Sequence, residues 1–132
     1  EMVGQFGVDE AEGTVLGSRQ IKGIYVVPRT PGGYLGEAVV SGSVKKVRMD
    51  LGIDVDPGTY VISASVMPTV SDGYMASTFV HEGTHLIRGD VRGTPGAEEA
   101  AYYAQCQVAL VFKLRKAEID FLKKNCGRLC GM

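Results

Sequence analysis

The sequence predicts an α+β domain, with a small, twisted, mostly antiparallel sheet in its first half packed on two helices in its second half. Three observations predict this. Residues 1–70 are rich in glycine and valine and poor in strong helix formers. Residues 71–125 carry apolar side chains at helical spacing. The change between the two falls at Ser71-Asp72, a pair suited to capping a helix. The 132 residues suit one domain spanning 1–132. With 45% hydrophobic and 22% charged residues, the chain has the composition of a globular protein.

Each element has its own signal. Residues 24–27 are β-branched and aromatic and stop at Pro28, which reads as a strand. Pro31-Gly32-Gly33 marks a turn. Residues 44–51 alternate, with Val47, Met49 and Leu51 on one side and Lys46, Arg48 and Asp50 on the other, and read as a second strand. After the turn signal Asp56-Pro57-Gly58, residues 60–67 read as a half-buried strand sharing Tyr60, Ile62, Ala64 and Val66 on one face and stopped by Pro68. A helix is expected over residues 73–88, with Met75, Phe79, Val80, Leu86 and Ile87 as its apolar stripe and Gly89 as its stop. Thr94-Pro95 then reads as a cap and a first helical residue, and a longer helix is expected from about residue 97 to residue 125, ended by Gly127. Tyr103, Leu110, Leu114, Ala117 and Phe121 recur along it at helical spacing, and the apolar run 108–112 places its middle inside the protein.

Charge and cysteine usage exclude some functions. The formal net charge is −1 with no block of like charge, which argues against nucleic acid and against an anionic membrane as partners. The run 108–112 is far too short to cross a bilayer. Residues 1–7 lack the basic and apolar regions of a secretory signal, and the chain opens on Glu1, which suits a domain released from something larger. The odd count of three cysteines argues against a complete disulfide framework. A bridge between Cys126 and Cys130, or from Cys106 to either, fits an oxidising compartment. A metal site built from the cysteines fits poorly, because no histidine lies near Cys126 and Cys130 and structural zinc takes four ligands.

The chemistry lies in Phe79-Val80-His81-Glu82-Gly83-Thr84-His85-Leu86-Ile87, a His-Glu-x-x-His motif within the expected helix. Residues four apart share one helical face, so the two imidazoles can converge on one ion while Glu82, offset around the helix, reaches its open position as a base. Both histidines of the chain are in this motif. A catalytic zinc takes a third protein ligand, and the next helix opens with Ala97-Glu98-Glu99-Ala100-Ala101-Tyr102. Glu98 and Glu99 project about 100° apart, so one of them at most faces the metal. The plainer roles are ordinary surface histidines, and two acids complementing the N-terminal helix dipole. Tyr74, Tyr102 and Tyr103 suit packing, with one of them available as an oxyanion donor. Arg88 suits a helix end, and Asp90 could hold a ligating histidine from outside the ligand set.

With these residues in place the chain resembles the zincin metallopeptidases of the glutamate-liganded branch, in which the second element reads Glu-x-x-Ala-Tyr or Glu-x-x-Ala-Asp. The resemblance implies a zincin-like fold and Zn2+ as cofactor. It also implies Glu98 as the third ligand, since Ala101-Tyr102 falls on the Ala-Tyr of that pattern. Glu99 is the alternate ligand. Some members carry an acidic residue four positions after the ligand; here Tyr102 stands there. The run Val80-His81-Glu82-Gly83-Thr84-His85 also looks like compact metallopeptidase domains at the C-terminal ends of bacterial polymorphic toxins. The resemblance covers about residues 72–107. It implies endopeptidase action on a protein or peptide, and, for a toxin, a cognate immunity protein as partner. In zincins an edge strand above the motif helix holds substrate extended; residues 60–67 are the expected strand. The reading from another class is a non-catalytic, zinc-stabilised binding module.

Overall fold

The computed structural model describes residues 19–89, 91, 93–109 and 111–130, the last four as backbone only. Among these the chain is a mixed α/β domain of three strands and four α-helices. The strands are β1 (Gly23–Val27), β2 (Gly36–Ala38) and β3 (Thr59–Ser63). The helices are α1 (Val44–Leu51), α2 (Asp72–Arg88), α3 (Ala97–Ala109) and α4 (Lys116–Cys130). Short 3-10 turns occupy Pro31–Gly33, Ser41–Ser43 and Met67–Thr69. None of the described helices is long and apolar enough to cross a membrane.

The sheet order is β1-β3-β2, with β1 parallel to β3 and β2 antiparallel to it. The expected mostly antiparallel sheet is thus half parallel. β3 lies in the middle, and its residues 60–63 are all buried. Val61 faces a core of Val27, Val39, Val47 and Val55, partly covered by Val44 and Leu51 of α1. Tyr60, on the opposite face, meets Phe79 of α2 edge-on at 5.0 Å and donates to Thr78 Oγ1 at 2.8 Å. The sheet is therefore covered on both faces, by α1 and by α2. The expected strand 60–67 is correspondingly shorter: it stops at Ser63, and Ala64 and Ser65 turn outward to bond the carbonyls of Val27 and Pro28.

Residues 44–51 are a helix and not a strand. Their alternation is overridden by a second pattern in the same residues, Val44, Val47 and Leu51, which puts one helical stripe on the core while Met49 is 74% exposed. Gly52 ends α1 in the left-handed conformation at φ 64°, its amide bonded to Arg48 O.

α2 forms where expected. Ser71 Oγ accepts from the Tyr74 amide at its start, and Gly89, at φ 70°, closes its end. The long second helix does not form: it is two helices, α3 and α4, and among the described residues between them, 111–115, Val111 is 78% exposed. The apolar run 108–112 is therefore not the buried middle of a helix. Folding back lets α4 pack on α3 through Leu122, Cys106 and Ala109, with Cys106 bonded to Cys126. That pairing excludes the alternative Cys126–Cys130 bridge.

Glu118 fixes the break. Its carboxylate accepts from the amide of Arg115 at the start of α4 and from both the amide and hydroxyl of Ser71 at the start of α2. Burial raises its pKa, but the hydrogen bonds from Ser71 and Arg115 outweigh it and hold the carboxyl below its ordinary value. A depressed carboxylate stabilises the fold above the unfolded-state pKa and loses that contribution as pH falls through the folded value. The thermal midpoint of the wild type is therefore expected to fall below about pH 4.5. Glu118→Gln should start about 1.5–3 kcal/mol lower at neutral pH and decline less over that range. Parallel pH profiles for the two proteins would contradict the assignment.

β2 approaches β3 so closely that only glycine fits at its start. A Cβ on Gly36 would lie 2.2 Å from Val61 O and 2.8 Å from the Tyr60 ring. Gly36→Ala is expected to cost about 1–3 kcal/mol in urea unfolding by forcing the strands apart. An unchanged midpoint would show that β2 is free to shift.

Candidate metal centre

α2 turns His81 and His85 to one side, and α3 packs along α2 so that its first turn faces them. His81 is 7% exposed. The rings of His81 and His85 are 5.1 Å apart, and Glu98 reaches both: Oε1 lies 3.1 Å from His81 Nε2 and Oε2 lies 2.9 Å from His85 Nε2. One ligand atom from each of the three residues lies within 4.8 Å of the others, close enough to hold a metal ion. When an imidazole proton is directed at it, contact with His81 and with His85 holds the Glu98 carboxyl far below the usual carboxylate range, against partial burial.

Glu82 stands beside this group and not within it. Its Oε2 is 3.9 Å from His81 Nε2. Its Oε1 accepts from the backbone amide of Ala38 at 2.8 Å. Burial raises the Glu82 carboxyl above its ordinary pKa, while the two histidines and the Ala38 amide oppose that rise. The Ala38 contact places the edge of β2 directly over the motif. Val39 N and Leu35 O bond to β3, so the alternation of an antiparallel ladder turns the backbone groups of Gly36 and Ala38 outward. A cleft of about 620 Å³ runs under this edge, with Gly36, Ala38, Glu82, His85 and Glu98 among its walls.

The strand with a free edge beside the motif is not the expected one. β3 has β1 on one side and β2 on the other, so residues 60–67 offer no free edge beside the motif. β2 offers one. It escaped the sequence reading because three residues containing a glycine carry no strand signal.

The other expected residues fall on both sides of the outcome. Tyr74 and Tyr102 line the cleft, and Tyr103 is not among its walls. Tyr102 stands edge-on to His81 with ring centres 4.6 Å apart. Its pKa is pushed up to about 12, first by burial and then by Tyr74, Glu98 and Glu82, so it keeps its proton at neutral pH. Glu99 is exposed and outside the metal-holding group. Asp90 lies outside the described residues. The residue that does meet a histidine of the motif from behind is Gln105, whose Oε1 is 2.9 Å from His81 Nδ1. It was not legible beforehand, because an amide seven residues beyond Glu98 matches no metal-site pattern.

No family model matches the chain, and no curated protein or solved structure matches it.

Proposed function

We propose that the chain is a zinc-dependent peptide hydrolase of the zincin type, with His81, His85 and Glu98 as ligands and Glu82 as general base. The observation that supports this most is the placement of Glu82: adjacent to the converging donors, outside them, and held by the amide of a strand edge over the same cleft. Two imidazole nitrogens and a carboxylate oxygen suit zinc and leave a corner of its tetrahedron open. Donors on a tetrahedral zinc stand about 3.3 Å apart at bonds of about 2.0–2.1 Å, and one ligand atom from each of the three residues here lies within 4.8 Å of the others.

Zinc held there would supply a water acidified to a pKa of about 7 and a Lewis-acid contact to a carbonyl. The chain's own groups do the rest. An extended peptide would pair with the outward groups of Gly36 and the carbonyl of Ala38, adding a strand to the sheet. Glu82 would take a proton as the water oxygen bonds the scissile carbon, then deliver it to the departing nitrogen as the C–N bond breaks. Tyr102, lining the cleft and protonated, is a donor available to the oxyanion.

The test is cleavage of a denatured protein and a mixed peptide library by zinc-loaded protein, with new termini read by mass spectrometry. Endoproteolytic products are expected; zinc-loaded protein that cuts nothing would favour the non-catalytic binding module. The resemblance to toxin domains supports a narrower reading, an effector held silent by a cognate immunity protein. Toxicity on expression that vanishes in Glu82→Gln would support it.

A further inference from the structure

Gln105 is a polar side chain that the hydrolytic steps leave unused. It is 1% exposed, so its polar atoms need partners inside the protein. Oε1 lies 2.9 Å from His81 Nδ1, and Nε2 lies 2.9 Å from Ser77 Oγ. Ser77 Oγ in turn donates to the backbone carbonyl of Tyr74 at 2.7 Å. The direction of this relay is set from its far end. A peptide carbonyl only accepts, so the single Ser77 proton points at Tyr74 O. Ser77 is left with lone pairs and accepts from Gln105, which must present its NH2 group to Ser77 and its oxygen to His81. That oxygen also only accepts, so His81 Nδ1 carries the proton. The Tyr74 hydroxyl, which also bonds Gln105, fits either way because a phenol both donates and accepts.

We infer that Gln105 is a positioning residue for the metal: locked by Ser77, it holds His81 as the Nδ1–H tautomer and keeps the Nε2 lone pair aimed at the point where His85 and Glu98 converge. This role presupposes His81 as a ligand in the proposed hydrolase. The opposite tautomer has a ready acceptor, since Glu98 Oε1 is 3.1 Å from Nε2, and an Nε2 that carries a proton cannot bind a cation. The two acceptors are unequal. The Glu98 side chain is 63% exposed and can turn to water, whereas the Gln105 oxygen has no water to replace His81. A neutral amide thus takes the place at which a ligating histidine commonly meets a carboxylate or carbonyl.

The test reads imidazole 15N spectra of metal-free protein at a pH where the rings are neutral, together with zinc affinity by chelator competition. In the wild type His81 is expected as Nδ1–H. Gln105→Leu, similar in size and without polar atoms, should move the ring toward Nε2–H and weaken zinc binding about 10- to 100-fold. Gln105→Glu keeps an acceptor and should restore both. Wild-type His81 protonated at Nε2 would overturn the inference, whether or not the leucine variant folds. So would a leucine variant with the wild-type tautomer and affinity. Wild-type protein that takes up no zinc would remove the hydrolase reading, while the metal-free spectrum still decides what Gln105 does to His81.

Discussion

Glu82→Gln is expected to lower peptide hydrolysis by about 100- to 10,000-fold, the usual contribution of a positioned general base, while zinc content stays at the wild-type level. The two halves have different physical grounds. The amide cannot take a proton from water, so the attacking step loses its acceptor and the leaving nitrogen its donor. Metal retention follows from geometry: Glu82 is not one of the three converging residues, and its nearer oxygen to His81 Nε2 is 3.9 Å away. Glutamine keeps an oxygen for the Ala38 amide, so the 2.8 Å contact that seats β2 over the motif survives. Full activity in this variant would remove Glu82 from the mechanism. Loss of zinc would instead make it a ligand.

Glu98→Ala is expected to weaken zinc binding by more than about 100-fold, beyond the range seen when a partner outside the ligand set is lost. That corresponds to at least about 2.7 kcal/mol. Glu98 touches both imidazoles, 3.1 Å from His81 Nε2 and 2.9 Å from His85 Nε2, so its removal takes away the carboxylate that faces them. Glu99→Ala, one residue away and exposed, is expected to bind zinc as the wild type does. Chelator competition on the pair separates the two carboxylates. Equal losses would point to a general effect of charge at the start of α3, and the reverse order would exchange their roles.

The convergence of His81, His85 and Glu98 was legible because most of its signal is local. His81, Glu82 and His85 sit within five residues on one helix, and the helix carries its own punctuation in Ser71 and Gly89. Glu98 was reachable because a short connection forces α3 beside α2. What escaped depends on contacts remote in sequence. Val44, Val47 and Leu51 form a helical stripe only once β3 supplies a surface for it; alternation in the same residues reads equally well as a strand. No glycine or proline marks the turn after α3; Glu118 makes it by reaching 47 residues back to Ser71. The strand over the cleft carries a glycine because Val61 O leaves no room for a side chain, and that crowding is invisible until β2 and β3 are paired. Gln105 is of the same kind: its meaning depends on His81 and Ser77, which lie 24 and 28 residues away.

Zinc analysis by atomic emission, on wild type and His85→Ala stripped with chelator and reloaded under identical conditions, tests the account most directly. It predicts about one zinc per chain in the wild type and almost none in the variant. A wild type that stays empty, or a variant that loads as fully as the wild type, would contradict it.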